Sequence, residues 1–353
     1  MIAMPVPSGR RRGAALASTL LLLLALAGGA AARPFTDAAG RTVELPDRIE
    51  RVLAAGPPAS VLLYTLAPDR MAGWVSAPAP AALPYLEPRT RALPAYGRLT
   101  GRGGTANVEA VLTAKPDLIV DAGSLGPTYA SLADRVQAQT GIPYILLDGS
   151  FARIPETYRQ LGAALGLQAD ADALAAAAQD LTGRVARAVA SVPEDRRPRV
   201  YYARGPRGLE TGFAGSINTE LLEAAGGRNV AQGGDGRLGS VSPEQILAWN
   251  PEVIVTLDPT FAATLRTDPL WRDVAAIKAG RIYVAPQQPF PWFDAPPGVN
   301  RLIGLRWLAG LLHPDLFPDP MDAVLRDFYH RFYHVDLDAR QAAALLGPAD
   351  AKR

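Results

Sequence analysis

Val108-Glu109-Ala110-Val111-Leu112-Thr113-Ala114-Lys115-Pro116-Asp117-Leu118-Ile119-Val120 and Ser242-Pro243-Glu244-Gln245-Ile246-Leu247-Ala248-Trp249-Asn250-Pro251-Glu252-Val253-Ile254-Val255 are two copies of one pattern. In each, a Glu opens a short helix, an X-Pro-acid corner ends it, and an apolar strand follows. A further extended apolar segment comes after each copy, carrying Ile142-Pro143-Tyr144 or Arg281-Ile282-Tyr283. The duplication predicts two similar α/β lobes. Runs of apolar residues alternating with helices predict parallel sheets covered on both faces.

Around these copies the chain punctuates itself clearly. Arg41 to Val43 and Arg51 to Ala55 read as strands on either side of a Leu45-Pro46-Asp47 turn. Ala59 to Leu66 reads as a helix and Met71 to Val75 as a strand. Residues 77–107 are rich in Pro and Gly and read as a long loop, of the kind that commonly binds something. Residues 155–192 are helical throughout, with Leu174, Ala178, Leu181, Val185 and Val189 at helical spacing. That Ala-rich helix is placed to bridge the lobes. The second lobe restarts at Arg199 to Tyr202. Asn218 to Ala225 is a helix stopped by Gly226-Gly227. Leu270 to Ala276, Asn300 to Leu312, Asp322 to His334 and Asp338 to Leu346 also read as helices. The expected division is a signal peptide over 1–32, a first lobe over 33–165, a connecting helix over 166–195, and a second lobe with C-terminal helices over 196–353.

The N-terminus has the parts of a secretory signal. Arg10 to Arg12 form a basic region, Leu16 to Leu26 an apolar one, and Ala30 to Ala32 a small-residue cleavage site. The residues after the arginines match a twin-arginine signal poorly. The 353-residue chain has a formal charge of +2, and residues 1–32 hold three arginines and no acids, so the remainder carries −1. Nucleic-acid binding therefore has no compositional support. The absence of cysteine excludes disulfides, thiolate metal sites, iron–sulfur ligation and a lipidated cysteine. Two lobes imply a cleft, and a cleft behind a secretion signal implies capture of a ligand. The composition of a GC-rich bacterial chain places that capture in a periplasm.

Pro116-Asp117-Leu118-Ile119-Val120, Asn218-Thr219-Glu220-Leu221-Leu222-Glu223-Ala224-Ala225-Gly226-Gly227-Arg228-Asn229-Val230 and Val241-Ser242-Pro243-Glu244-Gln245-Ile246-Leu247 follow one another in a known order. In these motifs the chain resembles the substrate-binding proteins of bacterial ABC importers for iron–siderophore complexes, haem and cobalamin. The resemblance spans nearly all of the chain beyond the signal. It implies two Rossmann-like lobes with parallel sheets, joined by one long rigid α-helix and closing only slightly on ligand. It implies a monomeric receptor with no enzymatic activity and no resident cofactor. It also implies that Glu109 and Glu244, exposed at matching places, dock onto arginines of a dimeric permease. Without the resemblance, each Glu has the simpler role of a carboxylate favoured by a helix N-terminus.

Ligand contacts are expected in loops at the strand ends that face the cleft. These are Trp74, Tyr96, Arg98 and Arg102 in the first lobe. In the second they are Tyr202, Arg204, Arg207, Phe213, Gln287, Phe290 and Trp292. Arginines bind carboxylate, catecholate or oxyanion groups through charge-assisted hydrogen bonds, and aromatics supply flat walls for a chelate. Arg204 stands out because it directly follows a strand and precedes Gly205-Pro206. The three histidines, His313, His330 and His334, all lie near the C-terminus. This spread does not suit a bare zinc or manganese site, and it favours a chelated or anionic metal species. His330 and His334 have ligand spacing on one helix but no third partner, so they read as surface or packed residues. A haem would need an axial Tyr, for which Tyr96, Tyr129 and Tyr202 are available. Gly234-Asp235-Gly236-Arg237-Leu238-Gly239 fits the dinucleotide fingerprint by letter only, because it joins no clear strand to a helix. A ferric siderophore is the expected ligand. Haem, cobalamin and a molybdate-type oxyanion are the alternatives, and a secreted enzyme acting on an anionic substrate is the rival from another class.

Overall fold

The computed structural model describes residues 1–2, 32–101 and 108–350. Residues 3–31 of the expected signal peptide, and Arg102, lie outside them. Among the described residues, no helix is long and apolar enough to cross a membrane.

The chain enters through an antiparallel hairpin, β1 (Ala32–Thr36) and β2 (Thr42–Pro46). The first lobe is built on a parallel sheet of β3 (Val52–Ala54), β4 (Leu118–Gly123) and β5 (Tyr144–Asp148), in that order. Met71 bridges to Val52 on the outer edge of β3, where the sequence predicted a strand. The helices α1 (Pro57–Leu66), α2 (Val108–Ala114) and α3 (Pro127–Thr140) pack with this sheet. The run 155–192 divides into two helices packed side by side, α4 (Ile154–Leu165) and α5 (Gln168–Val189). Gly166 makes the turn between them in the left-handed region at φ 70°, a conformation that costs glycine little. The bridging helix is therefore α5 alone.

The second lobe has the parallel order β11 (Ile282–Val284), β10 (Val253–Thr256), β6 (Arg199–Ala203), β8 (Arg228–Asn229). Its helices are α6 (Glu220–Ala224), α7 (Pro243–Trp249), α8 (Pro259–Thr267) and α9 (Ala275–Lys278). A small antiparallel pair, β7 (Glu210–Gly212) with β9 (Leu238–Ser240), was not anticipated. The dinucleotide-like glycines lie in the turn leading into β9 and within β9 itself, and not at a strand–helix junction. The chain closes with α10 (Arg301–Leu312), α11 (Met321–Tyr333) and α12 (Ala339–Asp350).

The two lobes share a core. One continuous cluster runs from Val43 and Tyr64 through the face of α5 to Trp292, Trp307 and Leu346. The outer face of each sheet has its own smaller core, around Ile119 and Tyr144 in the first lobe and around Tyr201 and Trp271 in the second. α11 returns from the second lobe to the first, where the Tyr64 hydroxyl donates to the Tyr333 carbonyl at 2.6 Å. Shared packing of this kind resists large rigid-body motion, since interiors are close-packed and repack in discrete steps.

α10 lies against the loop that leaves β11. A Cβ at Gly304 would stand 1.9 Å from the Trp292 carbonyl oxygen. Gly304→Ala is expected to cost about 1–3 kcal/mol by overpacking against backbone that cannot swing aside. A urea denaturation curve checks this through a lower midpoint at unchanged slope.

Candidate functional site

The two sequence copies are equivalent in three dimensions. Asp117 accepts the backbone N–H of Arg51 at the start of β3, and Glu252 accepts that of Arg199 at the start of β6, both at 2.8 Å. The Arg51 guanidinium caps the Ala114 carbonyl, and that of Arg199 caps the Trp249 carbonyl. Lys115 and Asn250, each before a proline, both adopt positive φ, at 45° and 43°. Glu109 and Glu244 are each the second residue of their helix, and both are exposed. A helix feeding a parallel strand runs opposite to it, so both Glu-bearing ends lie level with the strand C-termini. Ser242 caps α7 in a capping box with Gln245. The Ser242 hydroxyl and the residue's own N–H hold the Glu244 carboxyl below its usual pKa.

At the strand ends of the second lobe a cavity of about 480 Å³ is lined by Tyr202, Arg204, Glu210, Leu257, Asp258 and Gln287, among others. Arg204 is its centre. Its Nε lies 2.9 Å from Asp294 Oδ2 and its Nη1 2.8 Å from Glu210 Oε1. The backbones of Arg204 and Glu210 pair across the turn made by Gly205 to Gly208. Asp294 has no exposed surface and also accepts the Tyr202 hydroxyl at 3.0 Å and Asn218 Nδ2 at 2.7 Å. Burial works against the Arg204 charge, yet Asp294, Tyr202 and Glu210 together hold its pKa above the usual value. The guanidinium is thus an ion-paired group lining the cavity rather than a free cation. Asp258 caps α8 through Thr260 and Phe261, and Gln287 Nε2 braces the Leu257 carbonyl at 2.7 Å.

The lobes are tied together beside this cavity. Arg301 is fully buried and donates to Ile217 O at 2.7 Å, to Glu220 Oε2 at 3.2 Å and, across the lobes, to Gly149 O at 3.2 Å. Glu220 in turn accepts the Phe151 N–H at 2.9 Å, and the guanidinium lies over the Phe151 ring. Burial pushes the Arg301 pKa down, and the Glu220 carboxylate opposes this. Ile217 adjoins Asn218, which holds Asp294, so the clasp and the Arg204 site are continuous. In the first lobe, Asp121 is buried near the end of β4, where it accepts Thr100 Oγ1 at 3.1 Å and the Tyr144 hydroxyl at 3.3 Å. Burial raises the Asp121 pKa, and these hydrogen bonds act against the rise.

The expected contacts divide sharply. Tyr202, Arg204 and Gln287 come together at the cavity, although the Tyr202 ring is buried and only supports Asp294. Arg207 is exposed in the adjoining turn, and Arg98 is half-buried. Trp74 and Phe290 do meet, with ring centroids 6.0 Å apart, but they do so inside the inter-lobe core with Tyr64 and Tyr333. Trp292 is wholly buried against Trp307. Phe213 packs over Gly234 and Gly239 in the β7–β9 pair. The Tyr96 ring covers Gly73, and its hydroxyl accepts from Arg51 at the strand start, away from the cleft. These aromatics are packing residues because each has a better-matched apolar neighbour than the open cavity provides. Burial also pushes the Tyr202 hydroxyl far above its ordinary pKa, so it is poorly suited to supply a phenolate to a haem iron. Tyr129 is half-buried on α3 against the outer core. His330 pairs with Asp336 at 2.7 Å, and His334 reaches the Thr65 carbonyl at 3.1 Å, so the pair does not converge on a metal. Among the described residues, no group of three His, Cys, Asp or Glu is arranged to hold a metal ion.

Glu210, Asp294, Asn218 and Arg301 were not anticipated. Gly205-Pro206-Arg207-Gly208 is a turn signal that could have placed residue 210 opposite Arg204. Arg301 opens a helix, where a cation is unfavourable, and that misfit was a visible clue.

The family described as periplasmic binding protein matches residues 67–289. The chain belongs to that family. It has the two-lobed, helix-joined form that serves ABC importers, and the proteins of this family bind substrates rather than transform them. An ABC transporter solute binding protein from Sulfurospirillum deleyianum superposes with a TM-score of 0.81 at 31% identity, covering 89% of this chain and 98% of that one. The molybdate-binding protein MolA of Haemophilus influenzae is 32% identical over 155 residues, 43% of either chain. The vitamin B12-binding protein of Salmonella choleraesuis is 30% identical over 150 residues, 42% of this chain and 54% of that one. These two alignments thus span about half the length of the relatives they match.

Proposed function

We propose that this periplasmic binding protein captures a ferric siderophore-type chelate between its lobes and delivers it to an ABC permease. Export follows the signal over residues 1–32, which leaves the lobes of 33–165 and 196–353 in the periplasm with the connecting segment 166–195 between them. The observation that carries the reading is the paired Arg204. Its ion-paired guanidinium lines a cavity of about 480 Å³, within the size range of small-molecule sites. A guanidinium already matched by two carboxylates selects for an acceptor oxygen at a fixed position, such as those of a catecholate, hydroxamate or carboxylate. The acids lining the cavity, Glu210 and Asp258, suit a ligand that also carries hydrogen-bond donors. Arg98, Arg102 and Arg207 are the further basic contacts in this reading. Glu109 and Glu244 are the docking residues toward the permease.

Arg204→Ala is expected to weaken a ferric chelate by about 1.5–3 kcal/mol, the range for hydrogen bonds to charged groups. Isothermal titration with a ferric catecholate reads this as a tenfold to hundredfold rise in Kd. An unchanged Kd removes Arg204 from the site. One observation favours a second reading, an oxyanion ligand: the molybdate-binding relative at 32% identity. Titration with molybdate separates the two.

A further inference from the structure

We propose that Asp294 is a positioning residue for ligand capture, acting through Arg204. The inference rests on the reading of the Arg204 cavity as the capture site and adds how that site is held ready.

Asp294 comes from the loop after β11, some ninety residues beyond Arg204. It has no exposed surface. Both of its oxygens are occupied, Oδ1 by Asn218 Nδ2 at 2.7 Å and Oδ2 by the Tyr202 hydroxyl at 3.0 Å and Arg204 Nε at 2.9 Å. Tyr202 and Arg204 lie two apart at the end of β6, on the same side of the strand, and Asp294 bridges them from beneath. A buried carboxylate held by two hydrogen bonds and an ion pair has little freedom to turn, and this fixes the Nε edge of the guanidinium. Glu210 fixes Nη1 from the side. The planar fork is then held in one orientation beside the cavity. A free arginine would lose rotamer freedom on meeting ligand, and the Asp294 anchor removes most of that loss beforehand. Asn218 is next to Ile217, whose carbonyl holds Arg301, so the anchor is also braced against the inter-lobe clasp.

The test is a double-mutant cycle on the full protein, with Kd measured by isothermal titration against a ferric catecholate and against molybdate. Asp294→Asn is the first variant, because it keeps the volume and removes the charge. Asp294→Ser is the second, in case an amide cannot be accommodated beside Asn218. In the native background either change is expected to raise Kd at least tenfold for whichever probe binds. In an Arg204→Ala background the same change is expected to leave Kd within about twofold. A merely structural role would lower affinity in both backgrounds, and that result overturns the proposal. So does an Asp294 variant that folds and binds with native Kd. Failure of the receptor reading looks different, because the unaltered protein then binds neither probe.

Discussion

Arg301→Met is expected to lower the stability of the protein by about 3 kcal/mol or more. Removing one partner of a buried ion pair commonly costs about 3–5 kcal/mol, because the other partner and its acceptors are left unmatched. Glu220 keeps some solvent access, at 32% of its side chain, so the lower end of that range applies. The loss goes beyond one pair. Ile217, Gly149 and Gly298 each lose a donor to their carbonyls, and Phe151 loses the cation over its ring. Gly149 and Phe151 belong to the first lobe and the others to the second, so the variant also loosens the junction between lobes. Urea denaturation of Arg301→Met, Glu220→Gln and the double variant checks this. The expected result is a double variant less destabilised than the sum of the singles, because each single change leaves the other group without its partner. Additive losses would place the stabilisation in packing and not in the pair.

The second large effect concerns delivery. Glu109→Ala combined with Glu244→Ala is expected to reduce import by at least tenfold while leaving the Kd of the purified protein unchanged. Both carboxylates are exposed and lie at equivalent ends of equivalent helices, so the structure loses little when they go. In a docked complex each would face a cation away from water, where truncating one partner typically costs about 2–5 kcal/mol. Uptake of radioactive iron by cells carrying the variant, with ligand titration in parallel, reads both quantities. Normal uptake returns the two residues to simple helix-terminus electrostatics. A fall in affinity would assign them to the site or the fold.

Much of this architecture could be read locally. Val253 to Val255 and Leu118 to Val120 are apolar without alternation, as strands buried on both faces are. Prolines and glycines marked nearly every helix end. The paired Glu-bearing helices followed from the duplication alone. Gly166 divides the helical run 155–192 in two, at the boundary expected between the first lobe and the connecting helix. The β7–β9 pair was missed because its strands are only three residues long and glycine-rich.

The site was less legible, and the reason is sequence distance. The place of Arg204 beside the cavity could be read because a strand end and a Gly-Pro corner flank it. Asp294 gains its role from Tyr202 and Arg204, and Arg301 from Gly149, none of which is near in sequence. The aromatics failed in the opposite direction. Trp74, Phe290 and Trp292 sit in loops rich in proline, as binding residues often do, yet the same composition also builds a rigid plug between lobes. Which face of a loop an indole takes is decided by partners such as Tyr64 and Trp307, and no local pattern encodes them.

The central claim is that the cleft takes a metal enclosed in its own chelator. All five tryptophans are buried or packed away from the Arg204 cavity, so intrinsic fluorescence is a poor reporter. Equilibrium dialysis is the direct measurement. Purified protein is dialysed against ferric catecholate and hydroxamate siderophores, haem, cobalamin, molybdate, and free ferric and zinc ions, and retained metal and chelator are quantified by mass spectrometry. The account predicts retention of iron and siderophore in equal amounts, one of each per protein, with free ferric ion lost to the dialysate. Retention of a bare metal ion, or of none of these ligands, would contradict it.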